Sequence, residues 1–135
     1  MDYRIRVGLL VAVAALVGTG PAAAQEKAAP AGVTPAAPAG VTPAAIAKGD
    51  SIFHKSGLCY ACHGSNAEGA VGPNLTDAEW LQGDGSFDMI VATVTSGVPA
   101  EKAKKGIAMP PKGGSSISDE DVKAVAAYVY SLGHK

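Results

Sequence analysis

Cys59-Tyr60-Ala61-Cys62-His63 places two thiols and an imidazole within five consecutive residues. That spacing reads as an attachment site for c-type haem: each thiol can add to a porphyrin vinyl group as a thioether, and the imidazole can ligate the iron. Two other chemistries use similar residues. A C-x-x-C pair can be a redox disulfide, but such pairs belong near strand-helix-strand patterns that this chain lacks. A Cys-Cys-His cluster can hold zinc, but a structural site needs a fourth ligand, and His54 and His134 are poorly placed to supply one. Haem is therefore favoured over both. These are the two cysteines of the whole chain, so no structural disulfide remains available.

A haem so held has a sixth iron position, for which Met89 and Met109 are the candidates. Residues 86–96 read as a helix that buries Phe87, Ile90, Val91 and Val94, and Met89 sits about 200° around it from Phe87, at surface or rim. Met109 lies in the stretch 97–117, which has no clear secondary structure, and long loops in compact domains usually serve function. Pro110 and Pro111 follow it directly, fixing the backbone and holding the methionine extended. A flexible core filler is the alternative use of Met109. A thioether ligand favours Fe(II), and full six-coordination leaves no position for oxygen or substrate, which suits electron transfer and not an enzyme.

The elements that must position these groups read as all-α. A first helix is expected over 44–55, with Ile46, Gly49, Ile52 and Phe53 at helical spacing on one face. Gly49 inside a helix costs up to about 1 kcal/mol against alanine, and close approach of another backbone would explain it. The partner expected is the last helix. That helix starts at Ser118 with a capping-box-like Asp121, carries Asp119 and Glu120 at its positive end, buries Val122, Val125, Ala126, Val129 and Leu132, and ends at Gly133. A short helical turn is expected over 77–82.

Ahead of this domain, residues 1–24 resemble a secretory signal: Arg4 and Arg6, the apolar run from Val7 to Val17, then Ala22-Ala23-Ala24. The run is too short for a membrane span, which needs about 20 residues, and the expectation is a mature chain with no span. Residues 25–43 read as a Pro/Ala-rich linker, in which PAGVTPAA at 30–37 is repeated at 38–45. Proline at that density forbids continuous helix, and the composition predicts an extended tether. Losing Asp2, Arg4 and Arg6 with the signal takes the formal charge from −1 to −2. That balance argues against nucleic acid or an anionic membrane as partner. Two Phe, one Trp and four Tyr are few for a core, so a buried porphyrin would supply much of the apolar volume.

CYACHG, GPNLTDAEWL, MPP and SDEDVKAVAAYVYSL together resemble a class I monohaem cytochrome c, and more narrowly the haem domains of the dihaem subunit of cbb-type oxidases. The resemblance covers residues 44–132. It implies a small cytochrome c fold with crossed terminal helices around one haem c, covalent through Cys59 and Cys62, with axial His63 and Met109. It further implies that the Pro73 carbonyl accepts the proximal imidazole N–H, that Leu75 packs on the haem, and that Trp80 stands near a propionate, plain core packing being the alternative for that tryptophan. The sequence departs from the pattern in having no second C-x-x-C-H and no membrane segment, and in a longer loop at 101–106.

The expectation is thus a soluble, monomeric, periplasmic one-electron carrier that docks briefly with a redox donor and an acceptor, a respiratory complex among the candidates. A permanently bound haem subunit of an oxidase or dehydrogenase is the alternative, and an open-site haem enzyme or gas sensor the second. Lys102, Lys104 and Lys105 either ring the haem edge and steer an acidic partner or form an ordinary solvated loop.

Overall fold

The computed structural model describes residues 36–103 and 106–135. The expected signal at 1–24, residues 25–35 of the linker, and Lys104 and Lys105 lie outside the described residues. Among the described residues four α-helices form, α1 (Pro43–His54), α2 (Tyr60–His63), α3 (Phe87–Ser96) and α4 (Asp119–Gly133), with short 3-10 turns at Ala100–Lys102 and Pro111–Gly114. Among the described residues there is no strand, and an isolated antiparallel bridge joins Val98 to Met109. No described helix is long and apolar enough to cross a membrane.

α1 begins inside the second octapeptide copy. The Thr42 hydroxyl accepts the Ala45 N–H at 3.1 Å, and Pro43 occupies the first helical position, where its missing N–H is no loss. Val41, whose N–H donates to the Pro38 carbonyl at 2.9 Å, packs against the core. This copy thus supplies the start of the fold. α1 then buries Gly49, Ile52 and Phe53 against α4, its principal partner. The expected close approach is there: a Cβ on Gly49 would collide with the Ala124 carbonyl oxygen and lie 2.8 Å from Tyr128 Cβ.

α4 carries the expected capping box, with Ser118 Oγ accepting the Asp121 N–H at 3.1 Å and Asp121 Oδ2 accepting the Ser118 N–H at 3.3 Å. Its buried face adds Ala124 and Ala127 to the expected stripe, because α1 and α3 both pack on it, whereas Leu132 near its end is only half-buried. Gly133 does not terminate α4 as expected. It is the last helical residue, and its bare Cα leaves room for the Trp80 ring, whose Cζ2 would lie 2.6 Å from a Cβ there.

α3 is capped by Ser86 and buries Phe87, Ile90 and Val94. The helical turn expected over 77–82 does not form. Asn74 Oδ1 accepts the Thr76 N–H at 2.8 Å and Asp77 Oδ1 accepts the Glu79 N–H at 3.1 Å. These local side-chain bonds satisfy the backbone and compete with helix.

Candidate functional site

α2 is a single turn, and its geometry follows from the spacing of the pentapeptide. Residues three and four apart on a helix share a face, so Cys59, Cys62 and His63 project to the same side. Leu58, with φ 53°, turns the chain into this helix, and the N–H of His63 donates to the Cys59 carbonyl at 2.9 Å. Neither thiol is in a disulfide; Cys62 is exposed and Cys59 half-buried. Burial pushes the Cys59 thiol above its ordinary range, which keeps it protonated and uncharged.

His63 is 8 % exposed, and its Nδ1 lies 2.9 Å from the Pro73 carbonyl oxygen. A carbonyl can only accept, so Nδ1 carries the proton and the donor lone pair is assigned to Nε2. The chain from 64 to 75 is folded tightly behind the ring: the Gly69 N–H donates to the His63 carbonyl at 2.7 Å and the Gly72 N–H to the Cys62 carbonyl at 2.7 Å. Gly72 must be glycine, since a Cβ would stand 2.9 Å from His63 Cε1.

Met109 reaches the same region from the other end of the sequence. Its backbone is held twice by Val98, N–H to carbonyl at 2.8 Å in each direction. Gly97, with φ 72°, makes that clasp sterically possible, because a Cβ there would run into the Met109 carbonyl. Pro110 continues in extended geometry, φ −67° and ψ 155°, before the turn at Pro111–Gly114. Met89, by contrast, is 40 % exposed on the outer side of α3.

All seven residues singled out from the sequence, Cys59, Cys62, His63, Pro73, Leu75, Trp80 and Met109, line one cleft. Its empty space, counting the open mouth, is about 1340 Å³. The walls are largely apolar: Phe53, Ile90, Val94, Val125 and Val129 close the floor, and Leu58, Val71 and Ile107 stand exposed at the mouth. A flat apolar macrocycle tethered through two thiols and ligated by an imidazole fits this donor set and lining. The described residues bring together no group of three or more His, Cys, Asp or Glu suited to a metal ion.

Trp80 is half-buried, with its ring between Gly85 and Gly133 and stacked on His134 at 5.5 Å between centroids. His134 also stacks on Tyr130 at 3.9 Å. Gln82 donates from Nε2 to the Lys102 carbonyl at 3.1 Å and ties the tryptophan segment to the loop before Met109. Sequence reasoning did not find Val98 or Gln82. Val98 acts through its backbone and Gln82 through its side-chain amide on a distant carbonyl, and neither residue type names its partner. Nor did sequence reasoning find the need for glycine at 72, 85 and 97, since the groups that crowd them come from elsewhere in the chain.

The family profile described as "Cytochrome C oxidase, cbb3-type, subunit III" matches residues 44–129. The "Cbb3-type cytochrome c oxidase subunit CcoP" of Rubrivivax gelatinosus is 42% identical over 88 residues, covering 64% of this chain and 26% of the relative. The "Cbb3-type cytochrome c oxidase subunit FixP" of Sinorhizobium medicae is 40% identical over 90 residues, covering 64% of this chain and 30% of the relative. The chain therefore spans under a third of the curated relatives it matches. Among solved structures, cytochrome cL of Methylophaga aminisulfidivorans superposes with a TM-score of 0.52 at 22% identity, over 70% of this chain and 57% of the other. Cytochrome cL of Hyphomicrobium denitrificans gives 0.51 at 23%, over 70% and 52%. The helical architecture is thus the cytochrome c fold.

Proposed function

We propose that this chain, which belongs to the family of cbb3-type cytochrome c oxidase subunit III and carries a cytochrome c domain, is a one-electron carrier built on a single haem c. Cys59 and Cys62 would hold the macrocycle, and His63 and Met109 would each offer a donor atom to its iron. The observation that carries this reading is the convergence of the Cys59–His63 turn and the clasped Met109 on one apolar cleft. When bound, the haem supplies reversible one-electron Fe(III)/Fe(II) chemistry. The protein's residues set the conditions for it. Pro73 fixes the His63 tautomer and strengthens its donation. The Val98 clasp presents the Met109 thioether, a soft ligand that raises the reduction potential. Leu75 and the apolar floor keep water away, and Trp80 stands at the rim. No substrate bond is made or broken.

The expected working place is the periplasm, reached through the signal read at 1–24. As a soluble shuttle the protein docks briefly with a redox donor and an acceptor. The names of its relatives favour a second reading, in which the domain stays bound to a respiratory oxidase as a haem c subunit. Co-purification with a large membrane complex supports that second reading, and its absence supports the shuttle.

The central test is the optical spectrum of periplasmically matured protein, oxidised and reduced, beside Met109→Ala and Met89→Ala. A weak far-red iron–thioether band that disappears in Met109→Ala alone is the expected result. Absence of the band in the wild type, with carbon monoxide binding to the reduced form, means an open iron and turns the reading to a haem enzyme or gas sensor.

A further inference from the structure

His54 stands outside the ligand set, at the end of α1, yet both of its ring nitrogens are engaged. Nδ1 lies 2.9 Å from the Asp50 carbonyl oxygen and Nε2 lies 2.7 Å from the Ser65 carbonyl oxygen. Carbonyls only accept, and a neutral imidazole has one N–H to give. Satisfying both therefore requires the imidazolium.

The position favours that charge. It is the C-terminal end of a helix, where unsatisfied carbonyls attract cations. The titratable groups facing the ring are Asp50 on α1, whose carboxylate approaches Nδ1 at 3.1 Å, and Tyr128 on α4, at 6.2 Å between ring centroids. Phe53 packs edge-on at 5.1 Å, and the loop presents the neutral Ser65 carbonyl. The Ser65 carbonyl, then that of Asp50, lift the His54 pKa above its ordinary value.

Ser65 stands at the start of the 64–75 segment, which runs on to Pro73 and Leu75 behind the proximal imidazole. We propose that His54 is a positioning residue of the haem site: its protonated ring clamps the start of this loop to α1 and so steadies the Pro73 carbonyl that orients His63. The sign follows from the raised pKa. The clamp is complete at low pH and is released as pH rises through the folded-state value. It also has an electrical consequence. A positive ring on the domain that would hold the haem would disfavour its ferric state, so loss of the ring's proton would lower the reduction potential. This redox consequence rests on the haem-carrier reading; the loop clamp does not.

The test uses reduced, diamagnetic holo-protein as wild type, His54→Gln and His54→Arg. Amide exchange at Gly69 and Leu75, corrected for intrinsic rates, is followed from about pH 5.5 to about pH 9, beside the titration of the His54 ring. Wild type is expected to exchange about tenfold faster above the ring's titration than below it, the loss of one charge-assisted hydrogen bond. His54→Gln is expected to be fast throughout, His54→Arg slow throughout, with the potential falling with pH in wild type and flat in both variants. Equal exchange profiles in wild type and His54→Gln overturn the clamp, as does a ring that titrates at or below its ordinary value, which needs no variant. A missing far-red thioether band indicts the carrier reading and leaves the exchange result standing.

Discussion

Gly49→Ala adds one methyl group at the place where α1 and α4 come closest. The new Cβ has to enter space held by the Ala124 carbonyl oxygen, with Tyr128 Cβ at 2.8 Å. The first obstacle is backbone, which cannot swing aside as a side chain can, so the helices must separate. Overpacking a core costs about 1–3 kcal/mol, and a backbone-to-backbone clash belongs at the upper end. Alanine returns up to about 1 kcal/mol through helix propensity. The balance is a loss of about 2 kcal/mol, which for a domain of this size lowers Tm by about 10 °C. Thermal unfolding of the holo-protein, followed by far-ultraviolet circular dichroism and by the Soret band, reads the change directly. The separation also loosens Phe53, a residue of the cleft floor, so both signals should melt together. A Gly49→Ala protein as stable as wild type, or more so, would refute the claim that the two backbones meet here.

Gly97→Ala should weaken the Val98–Met109 clasp, since its Cβ would need a left-handed φ and the space of the Met109 carbonyl; the expected result is loss of the far-red band with the Soret band retained. Asp121 is held below its usual carboxylate range by Lys48, at 2.7 Å, and then by Ser118. Its contribution is present above the unfolded carboxylate pKa and is lost as pH falls through the folded one, so Asp121→Asn should flatten the acid decline of Tm between about pH 5 and about pH 3.

The helices were legible where periodicity and capping agree. Ser118 and Asp121 announced the start of α4, and Ile46, Gly49, Ile52 and Phe53 the buried face of α1, because these signals are local. The cleft was legible for a different reason: the C-x-x-C-H motif names its cofactor by covalent chemistry, and Met109 was singled out by the prolines behind it. What failed was decided by competition or by distance. Asn74 and Asp77 instead accept the N–H groups of Thr76 and Glu79 in local side-chain turns where a helical turn at 77–82 was expected. Gly133 reads as a helix stop, but its smallness answers to Trp80, 53 residues earlier in the chain. The His54 bridge to Ser65 was invisible because a histidine spacing names no carbonyl partner.

The repeated octapeptide separates two properties that usually change together. Its second copy contains Val41-Thr42-Pro43, which caps and opens α1, and its first copy spells the same letters. Removing either copy yields an identical chain, in which the surviving Val-Thr-Pro still precedes the helix. Adding copies does the same. Replication slippage in units of eight codons would thus change the number of residues ahead of α1 while leaving the helix start intact, and that number can drift in evolution without a folding cost.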